Sequence, residues 1–145
     1  MPAGAAWAMR PAATEVREEQ ERYRAARDLG RRAEDEAARY LAERGMRLVA
    51  RSFRARGGEI DLVVEDGETL VFVEVKARAS LSWGRPSEAV GPVKRARMVT
   101  AARFFLMRRG ARPEPPCRFD VVEVLARPGE TLRIRHIENA FGIDG

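Results

Sequence analysis

Two charged residues interrupt an apolar strand in the segment TLVFVEVKAR, residues 69–78. Strand side chains alternate between the two faces of a sheet, so Glu74 and Lys76 continue the face on which Leu70 and Phe72 lie. A charge on a buried face is costly unless it is paired or binds a metal. We therefore expect this face to begin as core and to end as a chemical site.

A second carboxylate is placed to join Glu74. In the preceding strand, residues 58–65, side-chain alternation puts Asp61 on one face of the sheet. The opposite face would carry Ile60, Leu62 and Val64. The pair Asp66-Gly67 is a strong hairpin signal, and a hairpin there brings Asp61 alongside Glu74. Two carboxylates on neighbouring strands form a sparse oxygen site of the kind that suits Mg²⁺, or Mn²⁺ in its place.

Such a site is suited to the hydrolysis of a phosphate ester. A bound metal polarises the phosphoryl group and activates a water, while Lys76 could orient that water or neutralise the pentavalent phosphate. Glu34 lies on the core-facing stripe of the first predicted helix and is expected at the edge of the same site. The structural alternative is an ion pair of Glu74 with Lys76 or an arginine, which predicts no metal dependence.

The basic residues are almost all arginine. Of 27 lysines and arginines, only Lys76 and Lys94 are lysine. Lysine offers a compact ammonium whose pKa responds to its surroundings, whereas arginine stays charged. This bias favours a need for an amine at both positions.

Charge and composition narrow the class of protein. The net charge is +5, and residues 1–28 hold five arginines against five acids, so the excess lies in the rest of the chain. A basic domain suits a polyanion such as DNA, and a solvated basic surface is the alternative.

We expect no membrane segment, because no apolar run approaches ~18 residues, and no signal peptide, because no basic region precedes the first apolar residues. Cys117 is the only cysteine, which excludes an intramolecular disulfide and favours the cytoplasm.

The periodicity predicts a single domain over residues 29–145, preceded by a tail, residues 1–28, that is partly disordered or helical. Within the domain, one helix is expected before Gly45 and a second over residues 92–109, which Gly110 ends. Strand signals cover residues 46–53, 58–65, 69–76, 118–125 and 131–138. This order, αβββαββ, predicts an α/β fold in which a mixed central sheet is flanked by helices.

The acidic pair also carries a resemblance to a known family. Asp61, twelve intervening residues and then Glu74-Val75-Lys76 match the PD-(D/E)xK nuclease signature. Further segments resemble, in order, those of the bacterial YraN family: GRRAEDEAARYL, GGEIDLVVE, VFVEVKAR, the region of Lys94, RFDVVEV and HIENAF. That family has no established function and is similar in fold to the archaeal Holliday-junction resolvases.

The resemblance covers about residues 29–142. Two positions depart from the family pattern: Ala33 replaces the usual glycine, and Ser52 replaces the usual asparagine. The resemblance implies a restriction-endonuclease-like fold and a catalytic set with these members: Asp61 and Glu74 as metal ligands, Lys76 as the catalytic lysine and Glu34 as a third acid.

The activity implied is that of a Mg²⁺-dependent endonuclease that hydrolyses phosphodiester bonds in DNA, with branched DNA such as Holliday junctions among its substrates. The likeness to the resolvases also suggests a homodimer, since paired cuts on a junction need two symmetric sites. The alternative function is a non-catalytic nucleic-acid-binding protein that keeps a nuclease-like fold.

Four residues near the site are assigned to DNA contact: Arg78, Trp83, Arg85 and Lys94. Lys94 lies in the first turn of the second helix, where it and the N-terminal amides could hold a phosphate, or it is a solvated surface lysine. Trp83 and Arg85 lie in the loop beside the site and could stack on a base or hold a phosphate, and a tryptophan folded back as a local lid is the alternative.

Overall fold

The helices and strands follow the predicted order. The computed structural model describes residues 12–78, 89–110, 112–125, 129 and 131–143. Its elements are α1 (Ala13–Glu43), β1 (Arg47–Ala55), β2 (Gly58–Asp66), β3 (Thr69–Arg78), α2 (Pro92–Arg109), β4 (Cys117–Leu125) and β5 (Arg133–Phe141). The described strands form one sheet in the order β1-β2-β3-β4-β5. Neighbouring strands are antiparallel except β3 and β4, which are parallel because the chain crosses over through α2. The predicted α/β fold with a mixed sheet is confirmed.

Each helix covers one face of the sheet. Helix α1 lies on the face that buries Ala33, Ala37, Leu41, Leu62, Val64, Val71, Val73, Val122 and Val124. Helix α2 lies on the other, which buries Ile60, Val63, Leu70, Phe72, Met98, Ala101, Ala102, Phe119 and Val121. We call these the α1 face and the α2 face. As predicted, Glu74 and Lys76 follow Leu70 and Phe72 along the α2 face of β3.

Helix α1 begins well before its apolar stripe. It is continuous from Ala13, whereas its buried residues are Ala33, Ala37 and Leu41. Residues 13–28 therefore form a polar helical extension, and nearly all of their side chains are exposed. Residues 1–11 of the predicted tail lie outside the described part of the chain. No helix in the described residues is both long and apolar enough to cross a bilayer.

The side-chain alternation of β2 fails at Asp61. The pattern placed Ile60 and Leu62 on one face, but Ile60 is buried on the α2 face and Leu62 on the α1 face. The prediction for Ile60 was wrong because β2 changes face at Asp61, beside a backbone irregularity in β1. Ser52 lies between the partners of these two residues in β1 and has a φ of 51°, in the left-handed region.

Candidate active site

Asp61 and Glu74 meet at the β2–β3 hairpin. The hairpin holds Leu62 opposite Val73, which puts the two acids at the next position of the ladder. Asp61 Oδ2 accepts a hydrogen bond from the backbone N–H of Val75 at 2.8 Å, so its carboxylate turns toward β3. The predicted pair of carboxylates from neighbouring strands is therefore present.

Glu74 is an acid in an unfavourable setting. Only 7% of its surface is exposed. Its Oε1 lies 3.5 Å from the ammonium nitrogen of Lys94, whereas its Oε2 is buried and accepts no hydrogen bond from a described N–H group. Burial, followed by the charge of Asp61, raises the pKa of Glu74 from 4.5 to about 7. Apart from a proton shared with Asp61, no described group bonds Glu74 Oε2, which leaves this oxygen open to a further ligand.

The pKa of Asp61 is also above its usual range. Burial raises the pKa, and the Val75 N–H and the Lys94 charge oppose this rise. Because burial disfavours the charged form of both adjacent acids, a cation bound between them would stabilise that form and displace the proton of Glu74. Asp61 and Glu74 thus fit Mg²⁺ or Mn²⁺ in donor type, since both ions prefer carboxylate oxygen.

Both lysines of the chain lie close to this pair of acids. Lys94 comes from the first turn of α2, with 40% of its side chain exposed, and makes the ion pair with Glu74. Its charge lowers the pKa of Asp61 and of Glu74. Lys94 is therefore not merely a solvated surface lysine, since its partly exposed ammonium pairs with Glu74 beside Asp61.

Lys76 is partly buried two residues beyond Glu74 on the same strand. Its Cα lies opposite that of Glu123 in β4. Within the described part of the chain, its ammonium takes part in no ion pair or hydrogen bond. The alternative in which Lys76 or an arginine neutralises Glu74 is not observed there, since the described cation at Glu74 is Lys94.

Glu34 approaches from α1. Burial, and next the negative charge of Asp61, raises the pKa of Glu34, and the nearby Arg51 lowers it. The Arg51 Nη2 lies 3.8 Å from Glu34 Oε2. Across the described residues, no group of three or more His, Cys, Asp or Glu side chains is arranged to hold a metal. The described link of Glu34 to the acidic pair is thus the charge of Asp61, and the pair itself is the candidate ligand set.

The other residues assigned to DNA contact fall into two groups. Arg78, at the end of β3, is partly exposed, and its Nε donates a hydrogen bond to Glu123 Oε2 at 2.7 Å. Trp83 and Arg85 lie in the segment 79–88, outside the described residues.

Two buried acids of β4 escaped the sequence interpretation. Glu123 and Asp120 are both fully buried. Asp120 lies on the α1 face with Val122, and His136 Nε2 is 2.7 Å from its Oδ2. Burial would raise the pKa of Asp120, but hydrogen bonds from His136 and Arg118 hold it below its usual range. The signal that could have found both acids was the one that found Glu74, a charge inside the apolar run FDVVEVL.

Comparison with known proteins shows that this sequence has many relatives. The profile of the uncharacterised protein family UPF0102 matches residues 33–124. A UPF0102 protein of Symbiobacterium thermophilum is 50% identical over 115 residues, covering 79% of this chain and 97% of the relative. One from Anaeromyxobacter dehalogenans is 50% identical over 117 residues, covering 81% and 86%. One from Nitrosococcus oceani is 42% identical over 118 residues, covering 81% and 94%.

Proposed function

The chain belongs to the uncharacterised protein family UPF0102, also called YraN, and from the site we propose that it is a Mg²⁺-dependent endonuclease that hydrolyses phosphodiester bonds in DNA. One observation carries the proposal: the buried carboxyl groups of Glu74 and Asp61 lie in contact, and apart from a proton shared with Asp61 no described donor satisfies Glu74 Oε2. A structural carboxylate would have its oxygens satisfied. An acid poised near neutral pH beside a second acid is instead typical of a functional site.

The residues of the site have separable roles in this proposal. Asp61 and Glu74 hold the metal, which when bound polarises the phosphoryl group and lowers the pKa of a water. Lys76 supplies an ammonium that the described residues do not neutralise, and it donates to the phosphate oxygen or to the attacking water. Lys94 neutralises Glu74 in the metal-free protein, a role that it would share with a bound cation.

The substrate and assembly are part of the same proposal. The αβββαββ order and the resemblance to resolvases support a restriction-endonuclease-like fold, with branched DNA as a substrate and a homodimer as the active form. The net charge of +5 supports a polyanionic ligand. The closest competing function, DNA binding without hydrolysis, would leave the buried acidic pair of Asp61 and Glu74 without a use.

The test is a cleavage assay with the purified full-length chain. Linear, nicked, flapped and four-way DNA are incubated with Mg²⁺, Mn²⁺ or EDTA. We expect metal-dependent cleavage by the wild type and loss of cleavage by Glu74→Gln, with DNA binding retained. Glu65→Gln is the matched control, because Glu65 is a β2 carboxylate that pairs with Arg47 and Arg109 away from the site.

Metal binding is measured independently of activity. Mg²⁺ or Mn²⁺ should raise the melting temperature of the wild type and of Glu65→Gln, and not that of Glu74→Gln, because a ligand stabilises the state that binds it. Cleavage that persists in Glu74→Gln would refute the proposed site. DNA binding by a wild type that cuts no substrate with either metal would favour the non-catalytic function.

A further inference from the structure

A buried carboxylate lies between two arginines next to Lys76. Glu123 has none of its surface exposed. Its Oε2 accepts a hydrogen bond from Arg78 Nε at 2.7 Å, and its Oε1 accepts one from Arg135 Nη2 at 2.6 Å. The two arginine side chains remain 32% and 25% exposed, respectively. The carboxylate is thus inside the protein, whereas both arginine side chains are partly exposed, although the Nε atom of Arg135 is itself buried.

Stability does not explain this cluster. Glu123 interrupts a strand whose neighbours, Val122 and Val124, are core residues. A buried arginine–glutamate–arginine arrangement is often no more stable than apolar side chains of similar size, because the desolvation cost offsets the attraction. A valine at position 123 would have continued the core, so the charged residues call for a role beyond packing.

The cluster lies on the same face of the sheet as the proposed active site. Glu123 is opposite Lys76 of β3 on one side and opposite Arg135 of β5 on the other. Along β3, Glu74, Lys76 and Arg78 follow one another at steps of about 6.6 Å, the distance between residues on one face of a strand. That step is comparable with the spacing of successive phosphates along a nucleic-acid strand.

The charges of this region do not cancel. Among the described residues of the cluster, Lys76, Arg78 and Arg135 bring three positive charges and Glu123 one negative charge, a balance of two positive charges for these four side chains. Because both oxygens of Glu123 are engaged by the arginines, the carboxylate does not neutralise Lys76. An anion bound here would therefore meet an excess of positive charge and guanidinium groups already held in place.

We propose that Arg78 and Arg135 form a binding site for a backbone phosphate of the nucleic acid, next to the phosphate that is cleaved. Glu123 is the positioning residue of this site, because its buried carboxylate accepts a hydrogen bond from each of the two guanidinium groups. The substrate strand then runs along β3 from Asp61 and Glu74 toward Arg78 and crosses to β5. The nature of the ligand rests on the proposed function, whereas the site itself rests on the cluster.

The experiment measures binding without cleavage. Fluorescence anisotropy of a labelled single-stranded oligonucleotide is recorded with the full chain in EDTA, over a series of salt concentrations. We expect Arg135→Gln to weaken binding at least tenfold at low salt. We also expect the slope of log affinity against log salt to fall by about one, as for loss of a phosphate contact.

Arg118→Gln is the matched control. The substitution removes the same charge as Arg135→Gln. Arg118 is also bound to a buried acid, Asp120, but Asp120 lies on the opposite face of the sheet. We expect its affinity to change by less than about threefold, with the slope unchanged. Circular dichroism establishes that each variant is folded.

Glu123→Gln separates positioning from net charge. It removes a negative charge, so a purely electrostatic effect would tighten DNA binding. If Glu123 positions the arginines, binding weakens instead and the salt slope falls. Should Glu123→Gln fail to fold, Arg135→Lys provides the same distinction, since it keeps the charge and loses the planar group.

Three results would overturn the inference: equal effects of Arg135→Gln and Arg118→Gln, tighter binding by Glu123→Gln, or no oligonucleotide binding by the wild type in EDTA. The proposed function is decided separately, by cleavage with Mg²⁺. Loss of binding in Arg135→Gln together with no cleavage by the wild type would uphold the phosphate site and refute the hydrolysis.

Discussion

Burial and the charge of Asp61 raise the pKa of Glu74, whereas Lys94 lowers it. The net rise should make the free energy of unfolding depend on pH through the protonation of Glu74. Because its pKa is raised from 4.5 to about 7, the folded state binds a proton that the unfolded state has already lost. This contribution to stability is complete below pH 4.5 and is lost as the pH rises through 7. In metal-free buffer the loss should amount to about 3 kcal/mol at most.

The measurement is urea unfolding in EDTA at pH 5 and pH 8, with Glu74→Gln as the reference. Glutamine does not titrate, so the variant should gain stability relative to the wild type as the pH rises. Acids distant from Glu74 affect both proteins alike and cancel in the difference, whereas Asp61, whose pKa depends on Glu74, contributes to the difference together with it. Parallel stability curves for the two proteins would show that Glu74 titrates normally.

Lys76→Arg tests whether the site needs an amine. The exchange keeps the charge, but a guanidinium is larger, planar and never deprotonated, so it cannot replace an ammonium that positions water. We expect a folded protein that binds DNA and cuts it on the order of 10²-fold more slowly, as for loss of an acid–base group. The cleavage rate, the melting temperature and the DNA affinity are measured together.

Arg103→Lys controls for the exchange itself, since Arg103 is exposed on α2. Its cleavage rate should equal that of the wild type. A wild-type rate in Lys76→Arg would leave Lys76 as a structural cation and remove it from the mechanism.

At the scale of elements, the contact between Gly58 and α2 controls the position of Lys94. A Cβ at Gly58 would lie 2.2 Å from the carbonyl oxygen of Arg97, a backbone atom that cannot move aside alone. Gly58→Ala should therefore displace α2, lower the free energy of unfolding by about 1–3 kcal/mol and weaken cleavage. Urea unfolding and the cleavage rate test both effects.

Gly30→Ala is the matched substitution. Gly30 lies inside α1, and a Cβ there meets no atom within 4 Å. We expect a gain of about 0.5–1 kcal/mol, the usual advantage of alanine over glycine in a helix. Equal stabilities for the two alanine variants would contradict the close packing of α2 on Gly58.

The elements were predictable where local signals suffice. Pro92 and Gly110 mark the ends of α2 in the sequence, and the observed helix runs from Pro92 to Arg109. The apolar alternation of β3 likewise placed Val71 and Val73 on the opposite face from Phe72, as observed. In these cases the residues of one short segment determine where the element begins and ends and which side chains share a face.

The remainder depends on contacts between distant segments. The face of Ile60 could not be read from β2, because the strand changes face at Asp61, beside the positive φ of Ser52 in β1, and neither irregularity has a signal in the sequence of β2. Asparagine tolerates positive φ better than serine, which gives a backbone reason for the asparagine usual in the family at this position. The ion pair of Lys94 with Glu74 depends on how α2 crosses the sheet, and the pattern of α2 contains no sign of it.

At the scale of the whole molecule, Asp61 interacts electrostatically with residues of both helices, one on each face of the sheet. Its charge raises the pKa of Glu34 from α1, and the Lys94 charge from α2 lowers the pKa of Asp61. The site thus combines side chains from two helices and two strands that are far apart in sequence. Only the assembled three-layer fold brings these charges together, so partial unfolding of any layer should abolish the site.

The polar extension of α1 lies outside this assembly, and its removal should leave stability and DNA binding intact. The first buried residue of α1 is Ala33, and the described side-chain contacts of residues 13–28 are local, such as the Arg22–Glu18 pair. Residues 1–28 also carry five arginines and five acids, so a chain that starts at Leu29 keeps the net charge of +5.

We expect the free energy of unfolding of this truncated chain to lie within about 0.5 kcal/mol of the wild type, as for changes at exposed positions. The salt slope of DNA binding should also be unchanged, because no net charge is lost. Urea unfolding and anisotropy titrations of the truncated and full-length chains test both expectations, and a marked loss of affinity would place residues 1–28 in the DNA interface.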